Sequence, residues 1–308
     1  MEIPNDLEGD LQETESPIIG NTISYSAVQT YQQCPLKYKL SYIDRIETEY
    51  TTDSLFLGST IHSALEACML KFKDTGRLMS CVELHRTYTD IFGEKIRHKK
   101  IRYHEGWNAQ RLERMGRNML SCWLSKFIGY SRSVEEVIAV EQRFEIQAHD
   151  PESGFQLSRT ITGVIDLILK LQSWPKSCYI ETPFGIREFK NYSYLILDHK
   201  TAVQKFPDMK INRDLQLTLY QFASLKLGLI PDREKAIVGF SVLLKKQTPE
   251  FQLYTSRRTE LQERQMLKTF SHVTDAIDLQ LFYPSYNTIT CKNCPYLERE
   301  CRDWLKSQ

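Results

Sequence analysis

The sequence has no long hydrophobic run. Its longest mainly apolar stretch, Ile237 to Leu244, is far short of a membrane span. The opening MEIPNDLEGD carries neither a basic segment nor an apolar one, so no secretory leader is expected and the cytoplasm is the expected location. Internal repeats, low-complexity tracts and Gly/Ser- or Pro-rich linkers are all missing, which argues against a solenoid, a disordered chain or a string of domains. No helicase motif is present, so any motor would be a separate partner. Net charge is also nearly missing, with 40 Lys plus Arg against 39 Asp plus Glu, or +1. That balance hides an asymmetry. The first twenty residues hold six acids and no base, which leaves 40 bases against 33 acids in the remainder, or +7. A basic body with an acidic tail does not exclude nucleic acid as a partner. Cysteine is plentiful, with eight in the 308 residues. Without a leader they are expected to be reduced, either buried or bound to metal.

Residues 1–21 read as a flexible acidic tail and 22–308 as a single domain. Ser24 suits the N-cap of a first helix, and Pro35 the first turn of a second. Residues 57–132 form a helical region that includes an amphipathic helix, Gly58 to Phe72, with Ile61, Leu65, Cys68 and Met69 on one face. Residues 136–256 are the expected core. Strands are expected at Val137–Gln147 and Ser158–Leu171, and a hairpin around Pro183-Phe184-Gly185. Tyr194–Asp198 should be a short strand and Asp214–Leu227 a helix stopped by Gly228. Ala236–Leu244 and Phe251–Tyr254 complete the strands. Closing helices and a cysteine segment occupy 258–308. The order predicts a mixed α/β core, a central mixed sheet flanked by helices, with a helical insertion.

Two segments carry the strongest chemical signal, Gly163-Val164-Ile165-Asp166 and Ile196-Leu197-Asp198-His199-Lys200. Each brings an acid to the end of an apolar strand. Asp198 and Lys200 are two apart, so they share a strand face. Two carboxylates beside an ammonium suit a hard cation such as Mg²⁺ or Mn²⁺, and the lysine can orient a water or stabilise a charged transition state. A lone D-x-K triplet is more often a solvated ion pair; the ordered set of further residues changes that. His62, beside the apolar stripe of its helix, offers a nitrogen ligand that would favour Mn²⁺. Gln216 and Tyr220, four apart on one helix, offer two hydrogen-bonding groups on one face.

These residues, with Ser24-Tyr25-Ser26, Cys34-Pro35, Gly58 to His62 and Glu141, resemble the RecB-like branch of the PD-(D/E)XK nuclease superfamily, which includes the AddB nuclease domain and CRISPR adaptation exonucleases. The resemblance runs from about residue 22 to 304. It implies a restriction-endonuclease-like fold and a metal-dependent DNA nuclease, an exonuclease more than an endonuclease. Such an enzyme would act on single strands or ends in recombination, repair, or CRISPR or phage DNA processing, and a bacterial or phage source fits it. It further implies that Asp166, Asp198, His62 and the backbone carbonyl of His199 are metal ligands and that Lys200 is the catalytic lysine. Gln216 and Tyr220 would position the substrate strand. Glu141 fits an additional acid on the first core strand, where Glu145 lies on the same face. A helicase or an integrase is an expected partner. The alternative reading is a non-catalytic iron–sulfur module that binds DNA ends and assists a partner nuclease or integrase.

Cys291-Lys292-Asn293-Cys294 followed by Cys301 is a metal-binding pattern one thiol short of a tetrahedral set. Cys68 and Cys122 read as buried apolar residues, and Cys81 and Cys178 carry no signal. Cys34, at the helix break before Pro35, is the candidate fourth ligand. Thiol chemistry alone leaves zinc and an iron–sulfur cluster open; the resemblance implies a [4Fe–4S] cluster on Cys34, Cys291, Cys294 and Cys301. The densest basic stretch is Lys95, Arg97, Lys99, Lys100 and Arg102, then Arg111, Arg114 and Arg117. With Tyr103, Trp107 and Trp123 interleaved, it predicts a groove that tracks phosphates and stacks bases.

Overall fold

A computed structural model describes residues 20–172, 178–182, 185–189, 193–286, 291–292 and 294–306. Positions 1–19 of the expected tail, and Pro183 and Phe184 in the expected hairpin, lie outside the described residues. A short strand, β1 (Thr22–Ser24), leads into α1 (Tyr25–Gln33), and Ser24 caps this helix by accepting the Ala27 N–H. Cys34 breaks the helix before α2 (Pro35–Tyr38), which runs on as a π-helical turn, Lys39–Ile43. There follow β2 (Thr51–Thr52), α3 (Asp53–Thr75), α4 (Cys81–Arg97), β3 (Ile101–Arg102) and α5 (Ala109–Ser131). The sheet-forming part comprises β4 (Val134–Ile146), β5 (Thr160–Leu171), the paired β6 (Cys178–Thr182) and β7 (Gly185–Phe189), and β8 (Tyr194–Ala202). After α6 (Asp208–Arg213) and α7 (Leu215–Lys226) come β9 (Ala236–Leu244), β10 (Glu250–Ser256), α8 (Glu260–Asp278) and α9 (Arg302–Lys306).

Strands β4, β5, β8, β9 and β10 lie side by side, and all neighbours are antiparallel except β8 and β9. Every residue of β9 is buried, as its mainly apolar sequence, broken by Ser241 alone, requires of a strand covered on both faces. β4 occupies one edge of β5 along most of its length. The other edge of β5 is divided. β1 pairs with Thr160–Thr162, β8 pairs with Leu167–Lys170, and the residues between have no partner on that side.

Each face of the sheet has its own core. On one, Ile161, Ile165, Ile168, Ile196, Val238 and Phe240 pack against α1, α7 and α8. On the other, Leu167, Leu169, Leu195, Leu197 and Ile237 pack against α3, α4 and α5. The helices begin where capping chemistry starts them. Ser80 and Glu83 form a reciprocal capping box on α4, and Thr259 and Gln262 form one on α8. Trp123 corrects the sequence reading. It is wholly buried in the second core and stacked on Phe127 at 4.6 Å, so it is no platform for a base.

Some boundaries also move. α3 starts at Asp53 rather than Gly58, because Thr52 caps it by accepting the Leu55 N–H. β8 continues past Asp198 to Ala202, because its pairing with β9 persists to Ala202↔Leu244.

Candidate active site

The divided edge of β5 creates the site. Leu167 pairs with Leu197 in the β5–β8 ladder, so Asp166 and Asp198 are opposite each other one step beyond the last paired residues. There the ladder opens. The His199 N–H, instead of meeting a main-chain carbonyl, donates to Asp166 Oδ2 at 2.7 Å. Gly163, three residues upstream, is required by packing, since a Cβ there would lie 2.5 Å from the Phe144 ring.

Asp198, Lys200, Gln216 and Tyr220 form an open ring. Lys200 Nζ lies 2.7 Å from Asp198 Oδ2 and donates to Gln216 Oε1 at 3.0 Å. Gln216 Nε2 donates to the Tyr220 hydroxyl at 2.9 Å, and that hydroxyl sits in the field of Asp198 and Asp166. The period of β8 puts Asp198 and Lys200 on one face. α7, capped by Asp214 through the N–H groups of Gln216 and Leu217, brings the other two from one helical face. Burial would lower the Lys200 pKa, but the charges of Asp198, Asp166 and Asp214 and the hydrogen bond to Asp198 outweigh it and raise it, so this lysine stays protonated. Burial, then Asp198 and Asp166, raise the Tyr220 pKa, which keeps its proton too. Tyr25, at the β1–α1 corner, shares this field; burial, Asp214 and Asp198 raise its pKa.

Beside the ring, ligand atoms of His62, Glu141 and Asp166 all lie within 4.8 Å of one another. His62 Nδ1 is 3.5 Å from Asp166 Oδ2. Burial, and then the charge of Asp198, push the Asp166 carboxyl well above its ordinary range. Burial lowers the His62 pKa, and it drives His199 down to about 3, so that side chain is neutral. The His62 and His199 rings meet edge to face, with centroids 6.0 Å apart.

Glu141 is the outlier. It has φ +48°, and the side-chain alternation of β4 changes phase there, with Val140 packed on the second core and Phe144 and Ile146 in the first. The same slip occurs across the sheet, between Ile165 in the first core and Leu167 in the second, around Asp166. A non-glycine residue at positive φ costs about 1 kcal/mol or more, and such strain clusters at functional sites. Burial, then the neighbouring Glu66, raise the Glu141 pKa to about 7. Glu145, its rival on the strand, is exposed. One imidazole and two carboxylates, all partly desolvated and in mutual reach, fit a divalent cation of the Mg²⁺ or Mn²⁺ kind. Asp198, opposite Asp166 where the ladder opens, adjoins this set.

An adjoining groove of about 520 Å³ is lined by Ser54, Ser59, His62, Glu66, Glu141, Lys200 and Lys245. Glu66 and Lys245 escaped the sequence reading. Glu66 follows His62 by one helical turn, a spacing that could have revealed it. Lys245 follows a buried strand and leaves no such trace.

The basic stretch is scattered. Lys95 Nζ is held by Ser59 O and by the Ser59 and Ser63 hydroxyls at 2.8–3.0 Å, against the helix that carries His62. Arg102 lies over Tyr50, Arg111 lies over Trp107 at 4.7 Å, and Arg117 reaches Glu113 at 3.8 Å. Arg97, Lys99, Lys100 and Arg114 are exposed.

At the other end of the chain, Cys34, Cys291, Cys294 and Cys301 line one cavity of about 360 Å³. Two amides, those of Lys37 and Ser285, point at Cys34 Sγ at 3.4 Å. Among the described residues no three of these thiols converge within 4.8 Å. Of the remaining cysteines, Cys68 is buried, Cys122 half-buried and Cys81 exposed; the Cys178 side chain lies outside the description.

Residues 22–179 and 186–302 match the family model described as PD-(D/E)XK nuclease superfamily. A search of curated proteins gives no match. Among solved structures, the chain is similar to a candidate exonuclease from Eubacterium rectale, with a TM-score of 0.50 and 11% identity over 92% of this chain and 88% of that one. It also aligns with the structure titled SSO0001, with a TM-score of 0.31 and 11% identity over 89% of this chain and 94% of that one.

Proposed function

Because this chain belongs to the PD-(D/E)XK nuclease superfamily, we propose that it is a divalent-metal-dependent deoxyribonuclease, an exonuclease working on single strands or ends in repair, recombination or foreign-DNA processing. The observation that carries this reading is the convergence of His62, Glu141 and Asp166 within 4.8 Å beside the Asp198–Lys200 pair. His62, Glu141 and Asp166 would hold the cation, with Asp198 and the His199 carbonyl beside them. Bound there, the ion would supply an acidified water and neutralise phosphate charge.

The chain's own residues do the rest. Lys200, kept protonated, donates to the attacking water and faces the charge that develops on the phosphate. Gln216 fixes the direction of Nζ, and Tyr220 in turn fixes Gln216. The His199 N–H holds Asp166 in its rotamer.

Replacing Asp198 or Lys200 by Ala should lower cleavage of end-labelled DNA with free ends in Mn²⁺ or Mg²⁺ by roughly 10²–10⁴-fold. EDTA should stop the wild-type enzyme. Full activity in either variant would sink the assignment, and cutting of circular single strands would mark an endonuclease.

The thiol cavity belongs to the same reading, as the seat of a structural [4Fe–4S] cluster. A single tetrahedral zinc needs sulfurs about 3.8 Å apart, closer than these thiols stand as a group, and the two amides aimed at Cys34 Sγ suit a thiolate. Anaerobic purification should give brown protein with iron and acid-labile sulfide; colourless protein with zinc would overturn this part.

A further inference from the structure

A second recess, of about 240 Å³, adjoins the catalytic groove and is lined by Asp53, Leu57, His104, Trp107, Leu112 and Val203, together with Ser54 and Lys245. Ser54 and Lys245 line both, so the two spaces meet at that pair. Resting on the nuclease reading, we infer that this recess is a subsite for a nucleotide flanking the scissile phosphate, with Lys245 taking the neighbouring phosphate and Trp107 stacking on the base.

The argument starts with an unbalanced charge. Lys245 is half-buried, and its Nζ donates to Ser54 Oγ at 2.8 Å. Among the described residues no carboxylate lies within salt-bridge distance of it, since the nearby Asp53 is occupied elsewhere. Asp53 Oδ1 is 2.7 Å from His104 Nδ1, and its Oδ2 accepts the His104 N–H at 2.9 Å. A partly desolvated ammonium whose hydrogen-bond partner is a hydroxyl, and whose nearest carboxylate is tied to His104, lowers its energy by gaining an anion.

Its place in the sheet aims it correctly. The Lys245 N–H bonds to Ala202 O at 2.7 Å, just past the parallel β8–β9 ladder in which Lys200 is opposite Val242. Lys245 therefore stands at the same C-terminal strand edge as Lys200, at a separation on the order of 10 Å, so one strand can touch both.

The walls suit a base. Trp107 lines the recess, stiffened by the Arg111 guanidinium over its ring, and an indole accepts any base by stacking. His104, tied through Nδ1 to Asp53, keeps Nε2 for a ligand. The wall toward the catalytic groove is low because α3 presents Ser54, Gly58 and Ser59 there; a Cβ on Gly58 would already approach Thr201 Oγ1 to 3.3 Å.

The test uses the full chain and a fluorescent oligo-dT, with anisotropy in EDTA for binding and steady-state cleavage in Mn²⁺ for turnover. Lys245→Gln should raise Kd and KM together by about tenfold, keep kcat within about twofold, and reduce the slope of log K against log salt by about 0.7. Lys245→Arg should restore the slope. Trp107→Leu should weaken binding about 5- to 150-fold, and Trp107→Phe should recover most of it. A wild-type enzyme that cuts DNA while the Lys245→Gln and Trp107→Leu variants bind as tightly as it does would overturn the subsite alone. A drop in kcat with Kd unchanged would also overturn it, by making Lys245 part of the chemistry. A wild-type protein that neither binds nor cuts any strand would overturn the nuclease reading with it.

Discussion

The carboxylate–lysine site and the thiol cavity are built in opposite ways. Around Asp198 the side chains stand on buried strands and one capped helix, and they are joined to one another through Lys200, Gln216 and Tyr220 with no ligand needed. Around Cys34 the thiols come from the α1–α2 junction and from the last stretch of chain, joined by a small core of Leu36, Leu40 and Tyr296. Beyond that core, a few long-range bonds such as Tyr31 Oη to Leu281 O and Tyr296 Oη to Ile46 O tie the ends together. The contrast teaches that one site is preorganised by the fold, whereas the other, on the proposed reading, would gain its order from the cluster it holds.

The largest expected effect tests the first half of that contrast. Asp198→Asn keeps the shape of the ring but removes its charge. It should cost roughly 10²–10⁴-fold in cleavage and leave the circular dichroism spectrum unchanged; a disordered protein would show that the ring holds the fold rather than the chemistry. Next comes the second half. Cys294→Ser should lose the chromophore and speed trypsin cleavage at Lys292, Arg299 or Arg302 by about tenfold or more, while anisotropy with single-stranded DNA in EDTA changes little. Protease resistance equal to wild type would mean that the small core alone secures the C-terminus.

A smaller effect separates the two sites by pH. Glu141 holds its proton to about 7, against 4.5 for an ordinary glutamate, because burial and Glu66 disfavour its charge. A cation must displace that proton, so Mn²⁺ affinity measured by calorimetry should fall up to about tenfold per unit as pH drops below 7, and level off above it. In the metal-free protein the sign is reversed. The folded state binds the proton more tightly than the unfolded chain, so this group's contribution to stability declines as pH rises from 4.5 through about 7. Glu141→Gln should flatten both profiles. The smallest effect concerns strain alone. With φ +48° at this position, Glu141→Gly should be more stable than Glu141→Ala by about 1 kcal/mol, read from urea midpoints. Equal midpoints would mean that the backbone there is relaxed.

Much of the site was legible because its spacings follow rigid periods. Asp198 and Lys200 obey the strand period, and Gln216 and Tyr220 the helix period; each pair meets as its period requires. What joins the pairs was not legible. The register that sets Asp166 against Asp198 spans the β6–β7 insertion, and no local pattern encodes it. Glu141 was visible as an acid, but the phase change that turns it inward is a break in alternation, which a pattern reading assumes away. Trp123 went wrong for the reverse reason. Arginines nearby suggested a stacking surface, although Leu112, Met119, Leu120, Trp123 and Phe127 form a continuous buried stripe on α5. The sheet with helices on both faces followed from element order, and there sequence and structure agree.

The divided edge of β5 has a consequence in time as well as in space. Thr22 pairs with Thr160 and Ser24 with Thr162, so the first strand of the sheet must wait for a partner made much later. At ordinary rates of synthesis that wait is on the order of ten seconds. The helices α3, α4 and α5, whose contacts with one another are local, have time to assemble first. β8, which carries Asp198 and Lys200, emerges later still. A growing chain therefore holds His62 long before it holds the groups that would make it able to cut, and the activity arrives only when the sheet closes.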